Sequence, residues 1–79
     1  MQLQIQYFAL LRDQRGLESE TIESDAATPE LLYQQLASQH GFTLTAKALK
    51  VAINDDFADW DTRLNEGDSV VFIPPVAGG

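Results

Sequence analysis

Seventy-nine residues, 44% of them hydrophobic, fit one compact domain with a small core and leave no room for a second. With no cysteine, the chain has no disulfide to brace that core, and no thiol nucleophile, zinc–thiolate site or iron–sulfur cluster of its own. A formal charge of −7 disfavours nucleic acid and anionic membranes, and suits a protein partner with a basic surface.

From the N-terminus, Leu3, Ile5 and Tyr7 alternate with Gln2, Gln4 and Gln6. That is the period of a half-buried strand over residues 2–8, and it sets Phe8 on the polar face. A short helical turn is expected at Ala9–Asp13, ended by Gly16. A second strand follows at 17–23, with the Gly16 turn making a hairpin plausible. Thr28-Pro29-Glu30 starts a helix. Threonine caps a free N–H, proline fits the first position because it has no N–H, and glutamate suits the positive helix end. Leu32 and Leu36 share its core face, flanked by Leu31 and Tyr33, and Gly41 ends it. Leu49, Val51 and Ile53 make a third strand, Asn54-Asp55 a turn, and Phe57 to Asp61 a weak short strand. After a turn at 64–68, Val70 to Ile73 forms the last strand, which Pro74-Pro75 ends. This order specifies a single α+β domain, one main helix across a mixed sheet of four to five strands. No apolar run approaches the roughly 18 residues that span a bilayer. Met1-Gln2-Leu3-Gln4 lacks the basic and apolar parts of a secretory signal, so a cytoplasmic location is expected.

Side chains offer little catalytic chemistry. Gly16, Gly41 and Gly67 stand alone instead of forming a phosphate-binding loop. His40 has no serine or cysteine partner suggested by spacing. Asp55, Asp56, Asp59 and Asp61 do not follow the calcium-loop pattern and read as a solvated turn, so no metal is expected. Lys47, Lys50 and Arg63 are too few for a basic binding surface, and Arg12 reads as a local ion-pairing residue.

The end of the chain is more informative. Residues 74–79 read Pro74-Pro75-Val76-Ala77-Gly78-Gly79 and are expected to form an extended tail. From Pro74 it reaches roughly 20 Å when extended. The prolines stiffen its departure, and the glycines fit a narrow channel. Phe8, Val71 and Ile73 fall out of phase with the core and, with Phe57 near a turn, are expected to form one exposed apolar patch for a partner.

The Pro-Pro-Val-x-Gly-Gly terminus, Leu64-x-Glu66-Gly67-Asp68-x-Val70, Phe8-Ala9-x-x-Arg12 and Val51-x-x-Asn54 together resemble the small subunit of molybdopterin synthase, a ubiquitin-like β-grasp sulfur carrier, over the whole chain. The resemblance implies that the Gly79 carboxyl is the reactive group. A separate E1-like enzyme would adenylate it with ATP, and a sulfur donor would convert it to a thiocarboxylate. The tail would then enter a large subunit, in a heterotetramer of two small and two large chains, and pass sulfur to a cyclic pyranopterin precursor. On this reading the chain binds no cofactor itself. The same chemistry in thiamine or another sulfur-transfer pathway, or conjugation as a ubiquitin-like modifier, stays open at this point.

Overall fold

The computed structural model describes residues 1–75 and runs β1 (Gln2–Tyr7), α1 (Ala9–Arg15), β2 (Ser19–Glu23), α2 (Pro29–His40), a 3-10 turn (Ala46–Ala48), β3 (Lys50–Ile53), β4 (Asp56–Ala58) and β5 (Ser69–Ile73). The five strands form one sheet in the order β2-β1-β5-β3-β4. β1 and β5 are parallel, and the other three pairs are antiparallel. Two strands, a crossing helix, a hairpin and a last strand returning to the middle of the sheet make a β-grasp fold.

The alternating residues of β1 explain which face α2 covers. Leu3, Ile5 and Tyr7 are buried while the glutamines between them are exposed. They join Val51, Val70 and Phe72 from the sheet and Leu32, Tyr33 and Leu36 from α2 in one core. The helix presents these residues because positions three and four apart share a face. Tyr33 lies at the centre of an aromatic cluster, its ring centroid 5.1 Å from Phe72, 5.9 Å from Phe42 and 6.2 Å from Trp60. Its hydroxyl donates to the Leu44 carbonyl at 2.7 Å, so the buried ring leaves no polar atom unpaired.

The ends of α2 are built as its sequence specifies. Thr28 Oγ1 accepts from the Leu31 N–H at 3.3 Å, Pro29 opens the first turn, and Gly41 takes the left-handed conformation at φ 71°. Leu31, expected to flank the core face, is instead half exposed.

Three local expectations change. The turn after β1 is a seven-residue helix that buries Leu11 and ends at Gly16 with φ 81°. β1 and β2 pair antiparallel as expected, and the helical turn between them runs on to Arg15, two residues beyond the expected Asp13. A helix this short is marginal by itself and is held by tertiary packing, which here comes from the fully buried Leu11. The 3-10 turn before β3 has no apolar periodicity to announce it, since its Ala-Lys-Ala sequence carries no buried residue. β4 covers only Asp56–Ala58, shorter than the expected strand, because the chain turns inward to set Trp60 over Phe72 with rings 6.0 Å apart and 9° from parallel.

Candidate functional site

β5 delivers the tail. It is hydrogen-bonded on both sides, to β1 and to β3, so its direction is fixed by two ladders. The last pairing joins Ile73 to Lys50. Pro74 is buried and Pro75 exposed. Proline has no N–H for the ladder, so the chain leaves the sheet here. A cleft of about 310 Å³ opens at this exit, between Lys47–Lys50 on one wall and Ile73–Pro75 on the other. Val76, Ala77, Gly78 and Gly79, the rest of the expected tail, lie outside the described residues.

The start of β5 is held as firmly. Ile53-Asn54-Asp55-Asp56 is a two-residue hairpin turn with φ 52° at Asn54 and 74° at Asp55, the geometry whose twist matches that of the flanking strands. Asparagine tolerates the left-handed region, and it also reaches across to β5. Asn54 Nδ2 donates to Asp68 Oδ1 at 3.0 Å, and Asn54 Oδ1 accepts from the Ser69 N–H at 3.0 Å. The other oxygen of the buried Asp68 accepts from the Asn65 N–H at 2.8 Å. Two segments singled out in the sequence, Val51-x-x-Asn54 and Leu64-x-Glu66-Gly67-Asp68, are therefore the two halves of one latch.

Strand register decides which apolar residues share the outer face, opposite α2. Val71 pairs with Gln6 on one side and Ala52 on the other, and Ala52 pairs with Phe57. Val71, Ala52 and Phe57 thus form one row across three strands. Ile73 lies two residues along the same face, level with Lys50. Phe8 follows Tyr7 in extended conformation, one step beyond the Tyr7–Phe72 pair, which brings it level with Ile73. Phe57 is 73% exposed and Phe8 41%, while Val71 and Ile73 are partly covered. Ala52, which the sequence reading did not include, fills the middle of the row. An open groove of about 820 Å³ borders it where Leu49–Val51 separates from Phe57–Trp60.

Arg12 lies 4.0 Å from Glu18 with both side chains well exposed, a weak contact. The strong arginine is Arg15, which spacing did not reveal. Its Nε and one terminal nitrogen donate to the two oxygens of Glu20 at 2.7 and 2.8 Å, and the Tyr7 hydroxyl donates to Glu20 Oε2 at 2.7 Å. The hydrogen bonds from Arg15 hold the Glu20 carboxyl below the usual carboxylate range despite partial burial, and Tyr7 adds to the effect. Burial and the Glu20 carboxylate push the Tyr7 phenol upward. This triad ties α1 and β2 to β1, on the core side of the sheet, away from the outer row. His40 packs its ring 5.8 Å from Phe42. Asp55, Asp56, Asp59 and Asp61 are all exposed, and among the described residues no three histidine, aspartate or glutamate side chains converge as a metal site would require.

The comparisons agree with this geometry. The ThiS family model matches residues 5–79. The molybdopterin synthase sulfur carrier subunit of Escherichia coli is 32% identical over 98% of this chain and 99% of its own length. The putative molybdopterin converting factor subunit 1 of Pyrococcus furiosus superposes with a TM-score of 0.80 at 27% identity, covering 96% of this chain and 99% of that one. A chain in the complex of subunits 1 and 2 of the Helicobacter pylori molybdopterin-converting factor superposes at 0.69 with 26% identity over the full length of both. The chain belongs to the ThiS family, alongside the molybdopterin synthase sulfur carrier subunits.

Proposed function

We propose that this protein is the sulfur carrier of a molybdopterin synthase, and that the Gly79 carboxyl is the group that carries. The observation behind the reading is the exit of β5: a strand paired on both sides that ends at Ile73 and is followed at once by the proline pair Pro74-Pro75. Such an anchor suits a tail that must be presented to more than one protein in the same geometry. A carboxylate is a poor electrophile, so it must first be activated. Its oxygen attacks the α-phosphorus of ATP on an E1-like adenylating enzyme, and pyrophosphate leaves. A sulfur donor at the sulfide level then attacks the acyl carbon; the C–S bond forms, the C–O bond to AMP breaks, and a thiocarboxylate remains. Inside a large subunit the thiocarboxylate sulfur displaces an oxygen substituent from a carbon of the cyclic pyranopterin precursor: the C–S bond forms, the C–O bond breaks, the oxygen leaves with a proton, and a thioester to Gly79 results. Water then attacks the acyl carbon of that thioester, its C–S bond breaks, the sulfur stays on the precursor, and the Gly79 carboxylate returns. Two carriers are spent per dithiolene, which fits a heterotetramer of two small and two large chains acting in the cytoplasm.

Support comes from the full-length likeness to sulfur carrier subunits and from the likeness to a chain in a complex of the two converting-factor subunits. The outer-face row of Val71, Ala52 and Phe57, with Ile73 and Phe8, is the surface that would meet the large subunit. The test is an intact mass after incubation with adenylating enzyme, ATP and a sulfur source. The expected product has one oxygen replaced by sulfur and converts precursor to molybdopterin when the large subunit is added. An unchanged mass, or sulfuration that supports thiazole formation and no molybdopterin, overturns the reading.

A further inference from the structure

We propose that Lys47 and Lys50 form a cationic seat at the root of the tail that receives an acidic side chain of the large subunit. This rests on the function proposed above and names what the partner must carry. The chain has five lysines and arginines against twelve acids, so a cation has many chances to find a carboxylate within its own fold. Arg15 is locked to Glu20, and Arg12 lies near Glu18. Lys47 and Lys50 form no ion pair among the described residues, and both are exposed. Yet both line the same cleft as Ile73, Pro74 and Pro75. Too few in number to make a basic surface, they are brought together by the fold at the one place where the tail departs. The 3-10 turn sets Lys47 at the mouth of the cleft, and the pairing with Ile73 sets Lys50 on the outer face beside the apolar row.

Asp55 is exposed in the β3–β4 turn, at the far end of β3 from Lys50, whereas Asp59 follows the Val51–Ala58 pair and lines one groove with Lys50. Along β3 the docking face thus runs from Lys50 at the tail, past Ala52 and Phe57, to Asp55 at the hairpin turn, with Asp59 beside its cationic end. A partner with the reverse order is attracted in one orientation and repelled in the opposite one, and the favoured orientation sets the tail toward its channel. Placing an acid at the seat would also relieve the repulsion expected when a chain of charge −7 meets any carboxylate.

The test compares K50E with R63E in the full chain. Each change makes the net charge more negative by the same amount, but Arg63 lies outside the cleft. Association with the large subunit of the same organism is followed by stopped flow across a salt series. The seat requires that K50E slow association and raise Kd about tenfold or more at low salt, that K47E do so as well, and that R63E stay within about twofold of the unmodified chain. Equal effects of K50E and R63E would mean steering by net charge alone, and no effect of K50E would mean solvated lysines; either overturns the seat. An effect seen with the intact chain but absent from one lacking Val76–Gly79 would assign the lysines to this chain's own tail, and also overturns it. If the unmodified chain itself fails to bind the large subunit, the function proposed above falls with it, a result distinct from the others.

Discussion

Tyr7 shows how one side chain serves two purposes. Its ring is buried in the core, and its hydroxyl donates to a carboxylate that Arg15 already grips with two bonds. Tyr7→Phe keeps the ring and removes a hydrogen bond to a charged group, and is expected to lower stability by about 1–2 kcal/mol in urea denaturation. The same triad sets a pH dependence. Because Arg15 stabilises the ionised form, Glu20 has a lower folded pKa than its usual 4.5, and less proton is bound folded than unfolded. Its contribution is complete above that value and is lost as pH falls through the lowered folded one. Stability curves of the unmodified chain and Glu20→Gln should therefore lie apart at neutral pH and converge in acid. A constant separation down to the acid transition would contradict this.

At the scale of elements, the β3–β4 hairpin and the turn before β5 depend on each other. Asn54 supplies a left-handed residue for one and two hydrogen bonds to the other. Asn54→Gly keeps the conformation and loses the bonds, whereas Asn54→Ala loses both. We expect costs of about 1 kcal/mol for glycine and about 2 for alanine, read from denaturation midpoints at constant slope. Equal costs would mean that the conformation carries no weight. The latch also fixes where Phe57 stands relative to Val71, so both variants should weaken partner binding more than their small loss of stability explains.

For the molecule as a whole, the two faces of the sheet have different duties. Phe72 is fully buried against Tyr33 and Trp60, and Phe72→Ala is expected to cost about 3–5 kcal/mol, a large share of what a domain this small possesses. Phe57 lies on the opposite face and is mostly exposed. Phe57→Ala should change stability by no more than about 0.5 kcal/mol while weakening association with the large subunit by about 2 kcal/mol. Calorimetry of the free chain and titration against the partner separate the two effects. Loss of stability without loss of binding would return Phe57 to the core and remove the outer face from the proposal.

The sequence by itself determined the covered face of β1, the body and both ends of α2, the stop of β5 at Pro74, and the family. These rest on local rules: alternation, helical spacing, capping, and the missing N–H of proline. Sequence alone also marked Phe8, Val71 and Ile73 as out of phase with a core, and Phe57 as an apolar residue beside a turn. Only the tertiary structure decided that register sets Val71, Ala52 and Phe57 in one row, because cross-strand neighbours are chosen by pairing and not by spacing along the chain. It alone joined Arg15, Glu20 and Tyr7, and Asn54 with Asp68, whose partners sit on different segments. It alone turned two isolated lysines into neighbours of the tail, since Lys50 meets Ile73 only when β3 and β5 lie side by side.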